Sequence, residues 1–185
     1  DGHIREKEER TFSAADRIVA EVKNRTQAAG KIILFGHSAG GQFVHRWALL
    51  GGKKNVDVIA VANSGWFTMP DRDIDYPYGI KNVGITDEEL GEAFAEPVIL
   101  FMGEKDVERK PPFRDTPEAD AQGMNRMERC TNYFRQCKAK AEELRVPFRW
   151  KLETVEGAAH QGVKMAEGAA AYIFGKSSED GNRRV

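Results

Sequence analysis

The string Gly36-His37-Ser38-Ala39-Gly40 stands between a short apolar run, KIILFG at 31–36, and a helical pattern. No other feature constrains the chain as much. The run before it is continuous and β-prone, as expected of a strand covered on both faces. After it, Phe43, Val44, Trp47 and Ala48 recur at helical spacing. A strand that becomes a helix this abruptly must bend sharply at Ser38. Glycines on either side remove side chains that would clash in such a bend. The helix then aims its free N–H groups and the positive end of its dipole at the serine. The spacing suits a serine nucleophile, with the Ala39 N–H as a donor to the developing oxyanion. With 18 Gly and five Ser in 185 residues, chance supplies about 0.05 such strings per chain. A phosphate-binding loop is the weaker reading, because no Gly-Lys-Ser/Thr follows.

The rest of the chain alternates helical and strand patterns around that centre. Ser13 reads as an N-cap for a helix ending near Gly30. VDVIAVA at 56–62 and PVILFMG at 97–103 read as further buried strands, and 147–155 alternates like an outer strand. Thr86 with Glu89 forms a capping box before a short helix, and Thr116-Pro117 opens a helix predicted to run to about 144. A last helix is expected over 163–174, followed by a polar tail at 176–185. The pattern predicts one domain over 1–175, with a loop or cap insertion at about 64–96. Its class is α/β, a mainly parallel sheet flanked by helices. Ligands in such sheets gather at the C-terminal strand ends. The loops after Phe35, Ala62, Met102 and Val155 are therefore where chemistry is expected.

Lys+Arg is 28 against Asp+Glu 29, so charge gives no reason to expect nucleic acid or an anionic membrane as partner. No apolar run approaches the roughly 20 residues of a membrane span. Cys130 and Cys137 share a helical face but lie about 10.5 Å apart along it, too far for a disulfide. They read as free thiols, and no Cys/His spacing suggests zinc.

A serine nucleophile needs a base, and the base needs an orienting acid. Of the four histidines, His3 lies in the polar leader, His37 precedes the serine and His45 falls in the following helix. His160 lies in EGAAHQG, a small-residue loop just beyond the last strand, and is the predicted base. The acid is sought at the end of the strand before it, where Gly103-Glu104-Lys105-Asp106 follows PVILFM. Asp106 is the first choice, with Glu104, Glu108 and Asp115 behind it.

GHSAG, LFMGEKD and VEGAAHQG, in that order, resemble the α/β-hydrolase superfamily, with esterases and polyester depolymerases as the closer flavour. The resemblance spans the second half of that fold. It implies Ser38 as nucleophile, Asp106 as acid, His160 as base and Ala39 as an oxyanion-hole donor. The implied reaction is carboxylic-ester hydrolysis through an acyl-enzyme, on a small-molecule or polymeric ester, with no cofactor and no metal. A serine peptidase or acyltransferase on the same residues is an alternative, and a non-catalytic binding protein of this fold is another. The family carries strands before the elbow helix, and a loop among them gives the second oxyanion donor. Here about 12 residues precede the first helix, without a His-Gly or Gly-Gly segment. The expectation is an N-terminally incomplete fold, its first strands missing from this chain or supplied by another.

Two further readings concern the segment after the second strand. Trp66, Phe67, Tyr76 and Tyr78, together with His37, are candidates to line a substrate cleft. Equally, the aromatics serve only to pin a long loop to the body. Asp71, Asp73 and Asp75 alternate as in a cation loop but lack the glycine and distal glutamate of an EF-hand, so no metal site is assigned.

Overall fold

The computed structural model describes residues 9–26, 30–50 and 54–179. The leader with His3, the Gly51-Gly52 pair and residues 180–185 of the tail lie outside the described residues. In chain order the elements are α1 (Thr11–Thr26), β1 (Ile33–His37), α2 (Ala39–Leu50), β2 (Val58–Ala62) and α3 (Asp87–Ala95). They continue with β3 (Val98–Gly103), α4 (Pro117–Asp120), α5 (Arg126–Leu144), β4 (Lys151–Val155) and α6 (Gly162–Glu179).

The four strands form one all-parallel sheet in the order β1-β2-β3-β4. Parallel neighbours need crossovers, and α2, α3 and the α4–α5 segment supply them. The sheet is covered on both faces, and the strand residues divide by alternation. Ile59, Val61, Val98, Leu100 and Met102 enter the larger core with Trp47 and Tyr133. Ala60, Ala62, Ile99 and Phe101 face the other way, onto Met165 and Ala169 of α6. Both parities are apolar, which is why these strands read as continuous runs.

Several boundaries differ from the sequence reading, each for a local reason. α1 starts at Thr11, so Ser13 lies inside the helix, where its hydroxyl donates to the Arg10 carbonyl. The single helix expected from 116 to about 144 is two, α4 and α5. Gly123 takes φ +146, and a Cβ there would stand 2.7 Å from Glu128. Asn125 then opens α5 as an N-cap, its side chain accepting from the Glu128 N–H. The outer strand begins only at Lys151. Upstream of it Phe148 and Trp150 pack on Phe94, and the Trp150 indole donates to the Ala93 carbonyl.

Among the described residues β1 pairs with β2 alone, and β4 with β3 alone. The two edges differ in character. β4 exposes Lys151 and the partly apolar KLETV sequence, whereas β1 presents Ile33, Leu34 and Phe35, each half-buried.

Candidate active site

Because β1 ends at His37 and α2 begins at Ala39, the bend is a single residue, Ser38, at φ +56. A left-handed backbone costs an L-residue roughly 1–2 kcal/mol, so it must be held. The Ser38 N–H donates to the Ala62 carbonyl at 2.9 Å, and the Ser38 carbonyl accepts from the Gln42 N–H at 2.9 Å. Of the two flanking glycines, Gly36 is sterically required. A Cβ there would stand 2.4 Å from the Gly40 carbonyl oxygen and 2.7 Å from Val44. At Gly40 a Cβ would meet nothing within 4 Å outside its own turn of helix. The expectation that both glycines relieve clashes therefore holds for Gly36 only.

His160 reaches Ser38 from the loop after β4. Its Nε2 lies 2.9 Å from Ser38 Oγ, and its Nδ1 lies 2.7 Å from Asp106 Oδ2. With Nδ1–H donating to the carboxylate, the Nε2 lone pair is left to accept the serine proton. Asp106 is 3% exposed and the His160 side chain 27%, so the chain of bonds runs from the interior to an open face. Glu104 does not face the imidazole: its carboxylate accepts from the Gly157 N–H at 2.8 Å. Glu108 pairs with Lys110 in the exposed part of the same loop.

The β3 and β4 loops are stitched together, which sets the meeting of Asp106 and His160. The Glu104 N–H donates to Val155, and the Lys105 N–H to Ala158. Asn63, at φ +46 after β2, joins them. Its Oδ1 accepts from the Gly103 N–H at 2.8 Å, and its Nδ2 donates to the Ala159 carbonyl at 3.0 Å. The approach is close enough that a Cβ on Gly103 would stand 2.8 Å from the Ala158 and Ala159 carbonyls. Behind the carboxylate, Arg126 at the start of α5 donates from Nη1 to Asp106 Oδ1 at 3.1 Å and from Nη2 to the Pro112 carbonyl at 3.0 Å. Neither Asn63 nor Arg126 was singled out by sequence, since each reads as an ordinary polar residue in a loop or helix.

His37 lies against His160, the two rings 4.7 Å apart and tilted by 42°. Its Nε2 is buried with no hydrogen-bond partner among the described residues. Burial, and then the neighbouring His160, push its pKa below the ordinary histidine value, so it favours the neutral form. His45 is wholly buried between α2 and the segment after β2, bonded to the Gly41 carbonyl and the Thr68 N–H.

The aromatic cleft is a correction. Phe67 has no exposed surface and stacks on Tyr133 at 4.5 Å in the main core. Trp66 is buried against Tyr78, with the Arg46 guanidinium 4.9 Å above its ring. Tyr78 is bonded through its hydroxyl to Thr116. Apolar burial is what these rings gain, and they pin the 64–80 segment to the body; only Tyr76, 39% exposed, remains at the surface. Asp71 accepts from the Asp73 N–H, and Asp75 pairs with Lys81.

No protein-family model matches the chain. A search of curated proteins finds no match either. Two solved structures superpose closely. One is a poly(aspartic acid) hydrolase from Sphingomonas sp. KT-1, 32% identical, with a TM-score of 0.85. The alignment covers 92% of this chain and 65% of that one. The other is a poly(3-hydroxybutyrate) depolymerase from Bordetella parapertussis, 31% identical, with a TM-score of 0.84. It is covered over 59% of its length, against 92% of this chain. The chain thus spans less than two thirds of either relative. With its parallel sheet, its sharp strand-to-helix turn at Ser38 and these two structural relatives, the chain has the α/β-hydrolase fold.

Proposed function

We propose that the protein is a serine hydrolase that cleaves carboxylic esters through an acyl-enzyme. The observation that carries this reading is the continuous bonding from Ser38 Oγ through His160 to buried Asp106. His160 takes the hydroxyl proton as Ser38 Oγ attacks the ester carbonyl, forming a tetrahedral adduct. Asp106 holds the imidazole in the Nδ1–H tautomer and stabilises the imidazolium. The Ala39 N–H, at the start of the 12-residue α2, donates to the oxyanion. The imidazolium gives its proton to the leaving alcohol, and the acyl-Ser38 ester remains. His160 then takes a proton from water as the oxygen attacks the acyl carbonyl, and as the acyl C–O bond to Ser38 breaks the imidazolium returns that proton to Ser38 Oγ and the acid leaves.

The relatives are named for polymers, a polyester and poly(aspartic acid), so a polymeric ester is the substrate class we favour beside small esters. Poly(aspartic acid) is amide-linked, and the similarity to its hydrolase favours a second reading, amide cleavage by the same residues. Among the described residues β1 pairs with β2 alone, which supports one more inference: further strands pair there, from chain upstream or from another polypeptide, and bring the second oxyanion donor.

Ser38→Ala tests the reaction. The expected result is a loss of at least about 10³-fold in hydrolysis of a p-nitrophenyl ester, with the thermal transition unchanged. A variant that keeps a tenth of the rate or more rejects Ser38 as nucleophile. Release of monomer from poly(3-hydroxybutyrate) against poly(aspartic acid) separates the ester reading from the amide one.

A further inference from the structure

Resting on that reading of Ser38, we propose that Arg126 is a positioning residue for the reaction, its guanidinium holding the Asp106 carboxylate so that the other oxygen meets His160. Asp106 is gripped on both oxygens: Arg126 Nη1 on Oδ1 at 3.1 Å and His160 Nδ1 on Oδ2 at 2.7 Å. Those are the two partners of its carboxylate among the described residues, so without Arg126 only the imidazole orients it. The guanidinium is itself fixed. Nη2 donates to the Pro112 carbonyl, and Cζ lies 4.9 Å from the centroid of the Phe113 ring. Arg126 and Asp106 are 5% and 3% exposed, which shields the pair from the screening that makes surface ion pairs weak. The anchor is also rigid at the backbone, because Arg126 is the first residue of α5 after the Asn125 cap. A planar fork that spans a carboxylate and a carbonyl cannot be reproduced by a lysine point charge.

The arrangement has an electrostatic consequence with a definite sign. The charged and titratable groups beside His160 are Asp106, Arg126, His37 and, from the open side, Lys105, Glu108 and Lys110. Arg126 offsets part of the Asp106 charge felt by the imidazole. Removing it leaves the carboxylate uncompensated, which favours the imidazolium, so more alkali is needed to free the base. A residue that merely stabilised the fold would lower the thermal transition and leave the pH profile in place.

The test is the pH dependence of kcat for a p-nitrophenyl ester in the full chain, wild type against Arg126→Met, Arg126→Lys and Ser38→Ala. For Arg126→Met the expected kcat is lower by about tenfold to a hundredfold, as for a misplaced catalytic group. KM stays within about twofold, since ground-state binding is not touched. The acidic limb moves to higher pH. Arg126→Lys returns the limb towards the wild-type position while restoring only part of kcat. A wild-type kcat and limb in Arg126→Met, or a loss confined to KM, overturns the proposal. If Arg126→Met fails to fold, Arg126→Lys decides: lowered kcat on an unmoved limb supports it, and wild-type kcat overturns it. An inactive Ser38→Ala beside a wild-type-like Arg126 variant rejects the positioning role alone. An active Ser38→Ala rejects the reading of the site and the proposal with it.

Discussion

His45 shows how much a single buried ring can decide. Its Nδ1–H donates to the Gly41 carbonyl at 3.0 Å, and its Nε2 accepts from the Thr68 N–H at 3.0 Å. The neutral tautomer is fully satisfied. A second ring proton would face the Thr68 N–H, donor against donor. Burial, with Arg46 nearby, lowers its pKa to about 3. An unfolded histidine titrates near 6.5. Between those values the unfolded chain binds the extra proton and the folded one does not, so stability falls as pH falls from about 6.5 towards 3. The slope is at most about 1.4 kcal/mol per pH unit, and above 6.5 this group adds no pH dependence. Urea unfolding at pH 7.5 and pH 5 checks this. His45→Gln should be less stable than wild type at pH 7.5 yet lose less on acidification. Equal losses in both proteins would show that other groups set the acid sensitivity. Legibility differs from residue to residue in the same way. Ser38 carries a motif and His160 sits in a small-residue loop at a strand end, so both could be picked out. Asp106 competed with Glu104 because two carboxylates share one turn, and only the fold shows which faces the imidazole. Arg126 and Asn63 left no trace, since a polar residue bound inside the protein looks in sequence like one bound to water.

Elements meet at this site through their ends, and the ends are where sequence reading was weakest. Continuous apolar runs located β1, β2 and β3 within two residues, because burial on both faces makes both parities apolar. The stretch 116–144 kept a helical pattern across its break, because the φ +146 of Gly123 breaks the helix without altering the apolar spacing. Arg129 fills that break. It is fully buried, donating to the Gly65, Arg114 and Gly123 carbonyls and to Asp120. Asn63 plays the corresponding part at the strand ends, tying β2 to β3 and to the His160 loop. Asn63→Ala removes both side-chain bonds, leaving the Gly103 N–H and the Ala159 carbonyl to find other partners. It also places alanine at φ +46. The expected loss of stability is about 2–4 kcal/mol. Ester hydrolysis should fall further than unfolding explains at a temperature where the variant remains folded, because the His160 loop has lost its tether. Denaturant titration and kcat measured together check both parts. A variant as stable and as fast as wild type means the loop is held without Asn63.

At the scale of the whole molecule the two edges of the sheet make opposite statements. β4 reads as a natural edge: Lys151 and Glu153 stand along it, and charge discourages further pairing. β1 does not. Ile33, Leu34 and Phe35 are half-buried, β2 is its one partner among the described residues, and no Asp, Glu, Lys or Arg stands within the strand. A parallel strand with both faces covered and one edge without a partner strand among the described residues presents N–H and C=O groups that another strand would seek. Among the described residues no helix is long and apolar enough to cross a membrane. Taken alone, residues 1–185 should therefore associate reversibly with rising concentration. Light scattering over about a hundredfold range of concentration reads this out, with hydrogen exchange locating the contact. The β1 amides should exchange faster than those of β2 and β3 in dilute solution, and slow as association proceeds. If further strands do pair against β1, as proposed, adding them should abolish association and raise ester hydrolysis by about 10²–10³, the worth of one oxyanion donor. A monomer at every concentration, with β1 as slow to exchange as β2, would show that its edge is already covered and that the sheet needs no further strand.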